Sequence, residues 1–442
     1  MKLFKFLIIL FFLNSCSFDN KTGIWNNENK ISDDKQNQIF KDFKKISSSI
    51  KTFNENIQIK KNFKFNLDKS VNNVSWQDYY FDSNNNLKNF KYDNLNQVVL
   101  KSKKLSKYEL NDYFLYNNNN VILNDLKGNL IVYSLTEKSI ITKFNFYKKK
   151  YKKIKKLLNL IVEGDIIYVS DNIGYIYAYN YKINQIIWAK NYKIPFRSNL
   201  KLFSNQIVAS NQNNDLFIFN KISGNLKKLI PSEETPINNS FINNIVLNEN
   251  NIIFLNTFGS LYSVNKNNFN FNWFLNLNET LDLNISNLYI GSKVVCYKDK
   301  IFLSSKNNFY ILQSKNGRVV AKKNFSSELR PIIYMDYIFL ITKNNFLLAM
   351  NASNGKIIYS YDIKEKVADL FNFDKKKLEI KNFMLVNGNI YIFLKNGHVI
   401  QLDIRGEINQ IIRLPSTLDS FPIIVDKLLL YLNKKNKLIL LN

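Results

Sequence analysis

Cysteine, histidine, proline and glycine are all scarce in this chain, and each scarcity removes a class of explanation. Two cysteines in 442 residues, Cys16 and Cys296, cannot build a disulfide framework. The single histidine, His398, excludes two- and three-histidine metal sites. Any Ser–His–Asp or Cys–His arrangement would depend on this one residue in the turn "KNGHVIQLD", where a surface or packing role is the plainer reading. Six prolines and twelve glycines are too few for a low-complexity linker. No Gly-rich phosphate loop is present, and the Asn-Gly pairs read as hairpin turns. Glu233 and Glu234 form a carboxylate pair suited to acid–base work, but they stand in the loop "IPSEETPI" with no polar motif to complete a site. The expectation is no catalytic residue, no metal ligand and no cofactor.

Aromatic residues, asparagine and lysine are abundant, with 35 Phe and 25 Tyr, so a large core is within reach. Asparagine supplies many turns because it tolerates the left-handed conformation. The formal charge of +27 suits an anionic partner, such as nucleic acid, a membrane surface or an acidic protein. The lysines are scattered and arginines few, however, which fits compositional bias better, and no nucleic-acid partner is expected. The densest basic run, "YKKKYKKIKK" (Tyr147 to Lys156), falls between strand-like segments and reads as a solvated loop.

A unit recurs eight times. "IIYVSDNIGYIYAYN" (Ile166 to Asn180) is matched by "VILNDLKGNLIVYSL", "IIFLNTFGSLYSVN", "IFLITKNNFLLAMN" and four others. The aligned turn residues are Gly128, Gly174, Asn214, Gly259, Asn308, Asn345, Gly397 and Asn436, on average about 44 residues apart. The runs are short, β-branched or aromatic, and often alternate, as in Tyr175, Tyr177 and Tyr179 against Ile176 and Ala178. Each unit reads as three strands preceded by a fourth, for example "LLNLIVEGD", "RPIIYMD" and "FPIIVDK". The expected fold is all-β, an eight-bladed β-propeller of four-stranded blades. The eighth unit lacks its outer strand, so an N-terminal segment should close the ring; Val71–Trp76 and Leu95–Lys101 are the candidates.

The N-terminus "MKLFKFLIILFFLNSC" has two lysines, an eight-residue apolar run (Phe6 to Leu13) too short to span a bilayer, and small or polar residues up to Cys16. "LNSC" resembles the lipobox of bacterial lipoproteins, which implies cleavage before Cys16 and its lipidation. That organisation gives a signal peptide at 1–15, a lipid-anchored polar tether at 16–66, in which 33–53 could form a short amphipathic helix, and a propeller at 67–442. Cys296, in "SKVVCY", reads as a small core residue.

"GYIYAYN…IIW" and "LLAMNASNGKIIY" resemble the pyrroloquinoline-quinone-type propeller repeat. "VSWQDYYFDSNNN" (Val74 to Asn86) is similar to the lead-in of BamB-like lipoproteins, subunits of the outer-membrane β-barrel assembly machinery. The quinoprotein resemblance raises an enzyme, but those enzymes need a longer chain, a calcium site and a vicinal disulfide, and a lipidated Cys16 leaves one cysteine. The BamB-like resemblance implies a non-enzymatic scaffold at the periplasmic face of the outer membrane. It binds the periplasmic domains of BamA, the barrel-insertion subunit, and other machinery subunits through neighbouring interblade loops. Two loops here occupy comparable places. "NYKIPFRSN" carries Ile194, Phe196 and Arg197, an aromatic anchor with a guanidinium, and "IPSEETPIN" carries Glu233 and Glu234. The alternative is a periplasmic quinoprotein-like or ligand-binding propeller. It requires polar residues converging on the central channel, whereas the expected inner strands are mainly apolar. A weaker third reading has the positive charge bind lipopolysaccharide or cell-wall polymer.

Overall fold

The computed structural model describes residues 17–18, 25–26, 53–147, 151, 153–234, 241–278, 288–371 and 378–442. The chain divides into two compact units, Met1–Lys51 and Thr52–Asn442. In the first, Ser17–Phe18 pairs antiparallel with Trp25–Asn26. Cys16 and most of the 33–53 segment lie outside the described residues.

The second unit is an eight-bladed β-propeller of four-stranded antiparallel blades. Blade 2 is typical: Leu158–Glu163, Ile166–Asp171, Tyr175–Asn180 and Gln185–Asn191 follow one another outward as strands A to D. Strands A to C are almost wholly buried and D alternates with solvent, because A faces the channel, B and C lie between neighbouring blades, and D forms the rim. The core is therefore a series of apolar layers between blades. The largest joins blades 6, 7, 8 and 1 to the N-terminal segment.

The repeat turns set this geometry. Seven of the eight aligned turn residues have positive φ, from 56° at Asn436 to 100° at Gly174; Asn308 does not. In five blades the Asn or Asp at the end of strand B (Asp125, Asp171, Asn211, Asn256 and Asn433) caps the turn. The Asp171 carboxylate accepts the backbone N–H of Ile173 at 2.9 Å and of Tyr175 at 2.8 Å. Blades are tied to their neighbours at strand D. The Trp188 indole N–H donates to the Lys221 carbonyl of blade 3 at 3.1 Å, and its ring lies on Gly224, where a Cβ would stand 2.4 Å away. Trp273 repeats the contact on blade 5, with Ser314 and Gly317.

Of the two closing candidates, Val98–Lys101 is the outer strand of blade 8, pairing antiparallel with Leu438–Leu441. Val71–Trp76 instead belongs to a strap that runs around the channel. The segment expected to be tether up to residue 66 is already ordered against blade 6 from Phe53. Phe53 meets Phe325 and Phe346 edge-on, Ile57 bridges Ser360 on the outer strand, and Phe65 packs on Tyr337. Phe53 and Phe65 supply apolar area that a solvated tether would lack. A short helix, Ile363–Phe371, links blades 6 and 7, and the Asp362 carboxylate caps it by accepting the Lys364 N–H at 2.8 Å.

Candidate functional site

The strap visits the blades in order. The Asn73 amide donates to the Ile424 carbonyl of blade 8 at 3.0 Å. Trp76 bridges Tyr116 of blade 1, and Asp78 bridges Ile161 of blade 2. On blade 3, Lys201 reaches Asp78 and the Asp82 carbonyl, each at 2.6 Å. The Leu247 N–H of blade 4 donates to the Ser83 carbonyl, and the Cys296 N–H of blade 5 to that of Asn84. Asn85 donates to the Val294 carbonyl at 2.9 Å, and Asn86 both donates to and accepts from the Ile333 backbone of blade 6. Asn89–Phe90 finally adds a parallel strand inside blade 7. Inner strands present unpaired N–H and C=O groups to the channel, and the strap satisfies them. Trp76, Phe81, Leu87 and Phe90 are buried with it, each contributing roughly 1.5–3 kcal/mol.

The strap's charge is balanced inside. The Lys201–Asp78 pair is almost fully buried. Burial pulls Lys201 below the usual lysine range against the opposing attraction of Asp78, and burial raises Asp82 against the pull of Lys201. Burial pushes the Cys296 thiol up to about 12, so it is an inert core group, as its sequence context suggested. Among the described residues, no three His, Cys, Asp or Glu side chains gather as a metal site. His398 sits at a blade 7 turn against Asn396 at 3.1 Å, and burial and Arg413 lower its pKa.

In each blade the D–A linkers and B–C turns fall on one face of the ring, here the linker face, and the A–B and C–D hairpins on the other. The linker face carries a 700 Å³ groove over blades 1 to 3, lined in part by Tyr113, Asn172, Phe196, Arg197, Gln212 and Ile242. The 193–199 loop is fixed by main-chain bonds: the Phe196 N–H donates to the Asp171 carbonyl at 2.9 Å and the Arg197 N–H to that of Ser210 at 2.8 Å. Arg197 and Ile194 are half-buried. Burial lowers the Arg197 pKa from the usual arginine value.

Phe196 corrects the expectation of an exposed aromatic anchor. Its ring is 2% exposed and packs among Tyr192, Phe217 and Phe219, so it holds the loop while Arg197 presents the charge. Glu233 and Glu234 are exposed at the start of the next linker. The Glu233 carboxylate accepts from Asn256 at 3.0 Å, Ser260 at 2.9 Å and the Tyr262 hydroxyl, which pins the linker to blade 4. Lys156, read as part of a solvated basic loop, is buried and donates to the Tyr151 and Ile154 carbonyls. Sequence reasoning missed the strap; its signal was the run "SNNN", which turns the chain at Ser83–Asn84 and whose Asn85 and Asn86 side-chain amides bridge blades.

Blade order, turn chemistry and interblade docking define an eight-bladed β-propeller. Among solved structures, the chain is similar to BamB from Moraxella catarrhalis, with a TM-score of 0.62 and 12% identity over 78% of this chain and 99% of that one. It is also similar to a quinohemoprotein alcohol dehydrogenase from Comamonas testosteroni, with a TM-score of 0.61 and 8% identity over 84% of this chain and 81% of that one. For a europium-containing methanol dehydrogenase the TM-score is 0.59 and the identity 9%, over 83% and 89%. No protein-family model matches the sequence, and no curated protein matches it. At these identities the likeness is one of fold.

Proposed function

We propose that this chain is a non-enzymatic scaffold lipoprotein of the outer-membrane β-barrel assembly machinery, anchored through Cys16 and facing the periplasm. Its linker face binds the periplasmic domains of a BamA-like barrel-insertion subunit. The observation that carries the reading is the groove beside a self-filled channel: Arg197 stands on a rigid loop in a 700 Å³ depression, while the strap occupies the channel. Platforms of this kind bind through loops on a rigid ring. The lipobox-like "LNSC" supports the location, and the likeness to BamB supports the fold such a scaffold needs.

The likeness to the two dehydrogenases raises a quinone cofactor, and the residues here do not fit one. Trp76, Asp78, Phe81, Asn85 and Phe90 of the strap run through the channel; the cavity left at its linker-face mouth is 70 Å³, and one of 340 Å³ remains on the strap's other side, lined in part by Ser75, Asp78, Lys88 and Lys201. Sites for ligands of drug or cofactor size are roughly 300–1,000 Å³, so the linker-face cavity is far too small and the other lies at the lower end of that range. Cys296 is buried on an inner strand without a neighbouring thiol among the described residues, and no acidic cluster for a cation occurs among them.

The test is co-purification from detergent-solubilised outer membranes. Recovery of the barrel-insertion subunit with wild type and its loss with Arg197→Glu support the reading. Failure to recover it with wild type overturns it.

A further inference from the structure

The strap leaves one electrostatic account open. At the linker-face mouth of the channel, Lys293 from the start of blade 5 and Arg330 from the start of blade 6 line the same 70 Å³ cavity. Tyr80 and Tyr113 wall it, with Phe421 stacked on Tyr113 at 4.5 Å. The Lys293 ammonium lies 5.5 Å from the Tyr80 ring centre and 5.6 Å from that of Phe241, and among the described residues it makes no hydrogen bond or ion pair. Arg330 gives its Nη1 to the Tyr80 and Asn85 carbonyls, and the Asp82 and Asp78 carboxylates attract it without an ion-pair contact. Glu328 on the rim is exposed and faces Lys343 at 3.7 Å.

The contrast with Lys201 is instructive. That lysine is deeper and carries its own carboxylate at 2.6 Å, as a buried cation requires. Lys293 is enclosed enough that desolvation lowers its pKa, Arg330 lowering it further against the opposing effect of Tyr113. Ring faces attract a cation weakly, by about 0.5–2 kcal/mol, and do not replace a counterion.

We propose that the channel mouth is a carboxylate socket, in which Lys293 and Arg330 together receive one acidic group of a polypeptide lying on the linker face. The volume admits a head group and little more, so the rest of the ligand lies outside. The socket and the 700 Å³ groove share Tyr79, Tyr80 and Tyr113, so a chain seated in the groove passes the mouth. The cation pair selects a carboxylate, and the aromatic wall excludes the water that would otherwise solvate it. This proposal rests on the reading of the linker face as a partner surface.

The test has two arms. In the first, thermal midpoints of the purified protein are compared in sodium acetate and sodium chloride at equal ionic strength. Wild type should gain a few degrees in acetate, through ligand linkage. Lys293→Met should lose that response while melting no lower in chloride, since it removes an uncompensated charge and keeps the apolar stem. Lys293→Arg should restore the response. An equal response in wild type and Lys293→Met, or none in wild type, overturns the socket and leaves the Arg197 groove untouched. In the second arm, recovery of the barrel-insertion subunit should fall at least tenfold with Lys293→Met. An acetate response with undiminished recovery overturns the polypeptide source, because the socket then serves a free small carboxylate.

Discussion

Asp78→Asn isolates the one fully buried ion pair among the described residues and so tests the strap directly. The Asp78 carboxylate does two things: it accepts the Tyr80 N–H at 2.8 Å and meets the Lys201 ammonium at 2.6 Å, with side-chain exposures of 5% and 0%. Asparagine keeps the first role and ends the second, leaving Lys201 with the Asp82 carbonyl and no counter-charge in contact. Removing one partner of a buried pair costs about 3–5 kcal/mol. At ~2–4 °C per kcal/mol for large domains, the thermal midpoint should fall by roughly 6–20 °C. Asp78→Asn with Lys201→Met removes both charges, and that double variant should recover most of the loss. The assay is a thermal melt followed by far-ultraviolet circular dichroism, with the two single variants and the double variant forming a cycle. A shift below ~1 °C for Asp78→Asn, or additive losses in the double variant, would refute the claim that this pair fastens the strap to blade 3.

Three further outcomes follow from the same contacts. Burial holds Asp82 above the usual aspartate range, so its contribution to stability is fully present below the ordinary aspartate pKa and is lost as pH rises through its raised value. Asp82→Asn should therefore flatten that loss in a pH series of urea midpoints and be more stable than wild type at neutral pH. Gly224→Ala places a Cβ 2.4 Å from the Trp188 ring at φ +69°, and should cost at least ~2 kcal/mol in urea unfolding. Phe196→Ala should cost about 3–5 kcal/mol in urea unfolding because its ring is core.

The ring was legible because its grammar is local. Gly or Asn at a left-handed turn, Asp or Asn two residues before the Ile173-type N–H it caps, and alternating Ile and Tyr are all readable within fifteen residues. Ring closure by Val98–Lys101 was also legible, from the outer strand the eighth unit lacks. The strap was not, because its order comes from partners 40 to 351 residues away: Asn73 with Ile424, Asn86 with Ile333, Asp78 with Lys201, Phe90 with Val386. No periodicity in "VSWQDYYFDSNNN" encodes that path. Phe196 and Glu233 show the same limit at the candidate site. A loop composition of apolar residues, arginine and glutamate suggests a contact surface, but whether each side chain turns to solvent is decided by neighbours such as Phe217 and Tyr262 that the loop itself does not contain.

The most direct test of the scaffold reading is site-specific photocrosslinking in intact cells. A benzophenone amino acid at Gln212, in the groove of the linker face, is compared with the same probe at Ser353, on an exposed hairpin of the opposite face. The account predicts an adduct with the barrel-insertion subunit from position 212 and none from 353. Adducts from 353 alone, or none from either position, would contradict it.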